Sequence, residues 1–265
     1  MITVLGPGGF IGSHVVKRLE VLEMDYYAPG RNENIESKDL GDIVYCIGLT
    51  ADFRHKPFET IEAHVCFLNK VLSQYKFNSL TYLSSTRVYI NCKEEEVFED
   101  TDIVVSINHP DELYTLSKLT GERLCLSSGR RAKIARLSNV YGSDYSSENF
   151  ISDVARKIQT DKFVKFSTTP ASAKDYISIN SVVDLLISIA VQGKQDMYNI
   201  ASGINLANDD IIGIFREHFK FDYEFDKNAK EIIFPKINID RIKTEFGFSE
   251  DSTKNNLSQH IKTYG

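Results

Sequence analysis

The chain has 265 residues, a net charge of −6, 42% hydrophobic residues and 26% charged ones. That suits one compact domain, or one with a small annex, and a core that needs neither disulfides nor metal. The acidic balance, with no long Lys/Arg run, argues against a nucleic-acid backbone as partner. Cys46, Cys66, Cys92 and Cys125 show no C-x-x-C or Cys/His ligand spacing, so they read as idle thiols in a reducing compartment and no metal site is expected.

In chain order, short apolar runs alternate with amphipathic stretches. Ile2–Leu5 is a buried strand, and no basic region followed by an apolar one precedes it; no signal peptide and a cytoplasmic location are expected. Gly12–Glu23 has helical spacing, with Val15, Val16, Leu19 and Leu22 on one face. Strands are expected at Tyr26–Ala28, Ile43–Ile47, Leu80–Ser84 and Lys133–Leu137. Helices are expected from about Pro57 to Tyr75 and over Asp111–Ser127, the latter with Pro110 as its start signal. This alternation implies a mostly parallel sheet covered by helices on both faces. Beyond about Tyr141 the pattern is irregular, with helices at Asn149–Gln159, Ser181–Gln192 and Asp209–Phe219 and a strand at Met197–Ile200. The apolar stretch Val182–Val191 is broken by Asp184 and too short to span a bilayer. We read residues 1–141 as the main domain and 142–265 as a smaller lobe interleaved with it.

The first strand runs into Gly6-Pro7-Gly8-Gly9-Phe10-Ile11-Gly12, and a helix follows. Glycines there let the backbone turn tightly and approach a pyrophosphate, while the helix N-terminus offers free N–H groups. A Gly-rich turn alone is a weak signal; its place between strand and helix points to a dinucleotide. An acidic residue at the end of the second strand binds the ribose 2′-OH in NAD-preferring folds. Here that place holds Gly30-Arg31, and Asp25 comes too early. An arginine can meet a 2′-phosphate, so NADP(H) is expected over NAD(H), although a solvated surface arginine is the plainer reading.

Tyr114 and Lys118 lie four apart on an expected helix and share a face. A nearby ammonium would lower the phenol pKa and let the pair move a proton at an alcohol oxygen. Such a pair occurs by chance in many helices. What distinguishes this one is Ser84-Ser85-Thr86-Arg87-Val88-Tyr89 at the C-terminal end of a parallel strand, where such sheets place their ligands.

The ordered set Gly6-x-x-Gly9-Phe10-Ile11-Gly12, Ser84–Tyr89, Tyr114-x-x-x-Lys118-x-x-x-Glu122 and Arg136-x-x-Asn139-Val140-Tyr141-Gly142 resembles the extended short-chain dehydrogenase/reductase family. That family includes the NAD-dependent epimerases and dehydratases of nucleotide sugars. Asp175–Ile179 with Val182-Val183-Asp184, Tyr198–Gly203, and the tail from Ile239 to Phe248 are similar to its later segments, so the resemblance covers nearly the whole chain. It implies a Rossmann-like doubly wound sheet with a C-terminal substrate lobe. It implies Ser85, Tyr114 and Lys118 as catalytic residues, with Lys118 also on the nicotinamide ribose. Gly6, Gly9, Phe10, Ile11, Gly12, Arg31, Gly48, Tyr114 and Lys118 would line the cofactor. Thr86, Arg87, Asn139 and Lys174 would meet the substrate, under the loop Asn91–Pro110 and the lobe. The helices over 57–75 and 111–127 match the family's dimer interface, so a homodimer is expected.

Four departures stand out. Very few residues separate Arg31 from the strand at Ile43, so one βα unit is missing from the sheet edge. Ile90 replaces the glycine after Val-Tyr, Lys174 replaces an arginine, and Gly48-Leu49-Thr50-Ala51 is a looser match. Sugar dehydratases of the family carry an acidic pair where this chain has Thr86-Arg87, which disfavours dehydration. The expected function is NAD(P)-dependent reduction or epimerisation at C4 of a nucleotide-activated hexose. The alternative is a non-catalytic cofactor-binding sensor or scaffold on the same fold.

Overall fold

The computed structural model describes every residue except 51, 110, 143–148, 250–252 and 265. The Pro110 start signal and Ala51 therefore lie outside the described residues. In chain order the elements begin with β1 (Ile2–Leu5), α1 (Phe10–Val21), β2 (Tyr26–Tyr27) and β3 (Asp42–Tyr45). One continuous helical stretch follows: α2 (Pro57–Ile61), a π-turn over Glu62–Cys66, and α3 (Phe67–Gln74). Then come β4 (Ser79–Ser85), β5 (Glu96–Val97), α4 (Glu112–Ser127), β6 (Ala132–Leu137) and β7 (Asn139–Tyr141). The remainder is α5 (Phe150–Asp161), β8 (Phe163–Thr168), β9 (Ala173–Ser178), α6 (Ile179–Gln192), β10 (Met197–Ile200), β11 (Asn205–Ala207), α7 (Asn208–His218), β12 (Asp222–Lys230), β13 (Lys236–Ile237), α8 (Asp240–Phe246) and α9 (Thr253–Lys262).

The central sheet has six parallel strands in the order β10-β6-β4-β3-β1-β2. Its inner strands are buried on both faces: Ile2–Leu5 is buried throughout, and so is Ala132–Leu137 even at Lys133 and Arg136. Val15 and Leu19 of α1 pack with Val182, Leu186 and Ile189 of α6 against one face. Leu68, Val71 and Leu72 of α3 and Cys125 of α4 pack with Tyr45, Leu80 and Tyr82 on the other. Each fully buried aliphatic side chain of this kind contributes about 1.5–3 kcal/mol.

The sheet ends at β2, and no helix or strand lies between Tyr27 and Asp42. The missing βα unit expected from the sequence is thus absent. In its place the 28–41 segment inserts Ile35 and Leu40 into the core, and Thr3 donates its hydroxyl proton to the Leu40 carbonyl at 2.6 Å.

A separate apolar cluster joins α5, α7 and α9 with Val164, Phe166, Tyr176 and Leu206. It is framed by the small sheet β11-β9-β7 and the parallel pair β12-β8. β12 was not expected from the sequence, although Tyr223 and Phe225 alternate with the exposed Asp222 and Glu224 at strand spacing. It folds as a strand because Tyr223 and Phe225 stack on Phe166. Among the described residues no helix is long and apolar enough to cross a membrane.

Candidate active site

A cavity of about 480 Å³ opens along the C-terminal ends of β1, β3, β4 and β6 and against β9, where an open parallel sheet binds its ligands. Its floor is the glycine turn between β1 and α1. Gly6 has φ +88°, and a Cβ there would lie 3.1 Å from Cys46 and Ile47. At Gly12 a Cβ would sit 2.2 Å from the Gly6 carbonyl oxygen. The turn therefore has room for hydrogen atoms only. Gly9 caps α1 without a side-chain hydrogen bond, which leaves the first N–H groups of a twelve-residue helix open to an anion. This cradle, lined by Gly9, Phe10 and Ile11, fits the pyrophosphate of a dinucleotide.

Ser85 ends β4 and turns the chain into a 3-10 turn over Thr86–Tyr89, its hydroxyl accepting the Arg87 N–H at 3.2 Å. Tyr114 and Lys118 project from α4 into the same cavity, and both are 5% exposed. Burial raises the Tyr114 pKa, while hydrogen bonding to the Ser85 hydroxyl and the charge of Arg87 act to lower it. Lys118 is anchored to the sheet. Its ammonium donates to the Leu83 carbonyl at 2.9 Å and lies 5.9 Å from the centre of the Tyr114 ring. Burial pushes the Lys118 pKa down to about 7, partly offset by the Glu122 carboxylate one turn away. Phe53 stacks on Tyr114 with ring centres 5.2 Å apart.

Gly48, Thr86, Arg87, Asn139 and Lys174 also line the cavity. Asn139 donates its side-chain amide to the Asp175 carbonyl at 2.8 Å. The Lys174 ammonium stands 5.9 Å from the Phe150 ring centre, and burial with the nearby Arg87 charge lowers its pKa. Gly6 and Gly12 shape the turn beneath the wall. Arg31 alone is not brought in: it is exposed and lies outside the cavity lining. Among the described residues no group of His, Cys, Asp and Glu side chains is placed to hold a metal ion.

Two parts of the site escaped the sequence reading. Asp111, just before α4, accepts Arg54 Nε at 2.6 Å and Nη2 at 2.5 Å, and Arg87 Nη2 at 2.8 Å. It ties three loops at the cavity mouth, and hydrogen bonding from Arg54 holds its carboxyl below the usual range. His64 lies fully buried in the π-turn behind Gly48; a Cβ at Gly48 would come within 3.1 Å of His64 Nε2 and 3.4 Å of Lys118 Nζ. Neither contact has a local sequence signal. An Asp before a helix reads as a cap, and a lone His in an amphipathic helix reads as core.

A curated relative, GDP-6-deoxy-D-mannose reductase of Pseudomonas aeruginosa, is 24% identical over 228 residues, 76% of this chain and 74% of the relative. The structure of TunA, an NAD-dependent NDP-hexosamine 5,6-dehydratase involved in tunicamycin biosynthesis, superposes with a TM-score of 0.84 at 17% identity, over 99% of this chain and 96% of that one. RMD from Pseudomonas aeruginosa complexed with NADPH superposes with a TM-score of 0.79 at 18% identity, over 99% of this chain and 98% of that one. At such identities these two structures speak to the fold. The model of the NAD dependent epimerase/dehydratase family matches residues 35–201, more than half of the sequence, and the chain belongs to that family.

Proposed function

We propose that the protein reduces the 4-keto group of a nucleotide-activated hexose with NADPH, using Ser85, Tyr114 and Lys118. The observation that carries this reading is the meeting of the glycine cradle with those three side chains in one cavity. The name of the curated relative, a GDP-sugar reductase, supports the reaction type. The bound nicotinamide cofactor supplies the hydride to the carbonyl carbon. Tyr114 gives its phenolic proton to the oxygen that gains the electron pair, and Ser85 hydrogen-bonds that oxygen and orients it. Lys118, when charged, favours the phenolate left behind. Gly48 lets the cofactor approach β3, and Asn139 and Lys174 take the diphosphate. Residues 1–141 mainly hold the cofactor, and 142–265 mainly form the substrate lobe.

Two observations narrow the chemistry. Among the described residues no Asp or Glu lines the cavity, so nothing there resembles the acidic pair that removes water in a dehydratase. At the end of β2 the Glu33 carboxylate already accepts from Gly30 N–H, Tyr27 and Lys38. That leaves Arg31, which has no partner among the described residues, to meet a 2′-phosphate; NADPH bound by RMD agrees with this. A homodimer through the 57–75 and 111–127 helices belongs to the same reading, supported by Phe58, 86% exposed on α2.

The test is consumption of NADPH with a 4-keto nucleotide sugar, followed by absorbance. Tyr114→Phe is expected to lose turnover by about 100-fold or more while still binding cofactor. Unchanged turnover in Tyr114→Phe, or wild-type protein that binds cofactor and turns over no sugar, would support a sensor or scaffold instead. Cofactor retained through purification and no use of external NADPH would make it a 4-epimerase. NADH binding as tightly as NADPH would remove the role of Arg31, and a monomeric mass by light scattering would remove the dimer.

A further inference from the structure

The protein carries a net charge of −6, yet its cavity is lined by Arg54, Arg87, Lys118 and Lys174, with no carboxylate among the described residues. Each charge has a different surrounding. Lys118 is held at Leu83 behind the reacting phenol. Lys174 of β9 lines the cavity together with Asn139 of the neighbouring β7, the two residues given the diphosphate in the proposed reaction. Arg54 and Arg87 share the single carboxylate of Asp111. One positive charge at the mouth is therefore left over.

Arg87 is the one whose hydrogen-bonding capacity is unspent. Its Nη2 donates to Asp111, while its Nη1 has no hydrogen bond among the described residues and the side chain, 29% exposed, lines the cavity. A guanidinium N–H left open to a cavity is ready to bond an anionic group of a ligand. The guanidinium is also well located. Its own peptide N–H is bonded to the Ser85 hydroxyl, and its charge acts on both the Tyr114 phenol and the Lys174 ammonium. It thus shares the cavity with both the phenol that carries the proton and the lysine given the diphosphate. A guanidinium anchored to one carboxylate through Nη2 keeps donors for a second carboxylate.

We propose that the substrate is an acidic sugar nucleotide, a nucleoside-diphosphate hexuronate or similar sugar carboxylate, whose carboxylate is bound by Arg87 with Arg54 adding charge from behind Asp111. This rests on the nucleotide-sugar reading above and names the class of sugar within it. Asp111 acts as the positioning residue that points both guanidiniums at the cavity mouth.

The experiment is calorimetric titration of the NADPH-loaded protein with two matched pairs, UDP-glucuronate with UDP-glucose and GDP-mannuronate with GDP-mannose. In at least one pair the uronate is expected to bind about 10- to 100-fold tighter than its neutral partner, the range of a charge-assisted hydrogen bond. Arg87→Gln should erase that preference, and Arg87→Lys should keep only part of it. Equal affinities within each pair, or a preference that survives Arg87→Gln, overturn the inference and leave the nucleotide-sugar reading intact. Should Arg87→Gln fail to fold, the wild-type comparison decides. Binding of none of the four sugars overturns the nucleotide-sugar reading, and this inference with it.

Discussion

Lys118 donates to the Leu83 carbonyl at 2.9 Å, so the sheet, and not the phenol of Tyr114, holds its ammonium. The pair predicted from Y-x-x-x-K spacing is real as a placement on one helix face. Its electrostatics are not those of a simple ammonium–phenol contact. Ser85 and Arg87 act to lower the Tyr114 pKa from the substrate side, while Lys118 titrates in a buried place behind it.

A measurable pH dependence follows from that burial. The Lys118 pKa is lowered to about 7 in the folded protein, against about 10.4 in an unfolded chain. Below about 7 both states hold the proton, and the cost of burying the charge is fully present. Between about 7 and 10 the unfolded chain binds more protons, so this group's contribution to stability rises with pH. Thermal melts should show wild type gaining on Lys118→Met from about pH 6 to about pH 9. A difference in Tm that stays constant across that range would mean the ammonium titrates elsewhere.

The glycine turn separates two neighbouring glycines sharply. A methyl on Gly12 would lie 2.2 Å from the Gly6 carbonyl oxygen and 2.9 Å from its carbon, all backbone that cannot move aside. Gly12→Ala should shift the start of α1 and lower cofactor affinity by about 10-fold or more, with about 1–3 kcal/mol of overpacking strain. At Gly8 a methyl meets nothing within 4 Å, and Gly8→Ala should bind cofactor as wild type does. Fluorescence titration with NADPH compares them; equal losses in both would mean that the spacing of the turn is not what matters.

The contrast between these residues and His64 explains what the sequence could tell. β1, the glycine turn, Ser85 and α4 are local features: a strand, a tight turn and a helix repeat, each written in adjacent residues. The missing βα unit was legible as too few residues between Arg31 and Ile43. The Arg54–Asp111–Arg87 clamp joins positions up to 57 apart, and β12 exists because its aromatics find Phe166. Such pairings arise only when the fold brings distant segments together; Tyr223 and Phe225 alternate as in a strand, but nothing near them in sequence names Phe166 as their partner. Arg31 is a different case: its place in the sequence suggests a cofactor contact, and its side chain is exposed beyond the cavity lining, with no partner among the described residues.

Behind Ser85 lies a second dependency. The Glu122 carboxylate accepts Ser84 Oγ at 2.5 Å, Arg136 Nε at 2.9 Å and Arg136 Nη2 at 2.6 Å, and both charged side chains are 4% exposed. Removing one partner leaves a buried charge, so Glu122→Gln should cost about 3–5 kcal/mol in urea unfolding. The double variant Glu122→Leu/Arg136→Met leaves no charge stranded and should lose less than the two single changes summed. Strict additivity would mean the two groups do not act as a pair.

His64 gives the last prediction. The Leu49 N–H donates to its Nε2 at 3.2 Å, so Nδ1 carries the proton and donates to Ser117 Oγ at 2.8 Å. Ser117 in turn donates to the Tyr114 carbonyl at 2.8 Å, which links the end of β3 to the backbone of the proposed acid. Burial, reinforced by the Lys118 charge, holds the His64 pKa down to about 2. An unfolded histidine titrates near 6.5, so below about 6.5 the unfolded chain takes up a proton that the folded one refuses. Stability from this residue is therefore full above that pH and is lost as pH falls. His64→Leu should cost about 1–3 kcal/mol near neutral pH, because the Leu49 N–H loses its acceptor. It should also unfold less steeply with acid than wild type between about pH 6.5 and about pH 5. Parallel acid curves for the two proteins would show that His64 is protonated in the fold, and the Leu49 N–H would then have no acceptor on its ring.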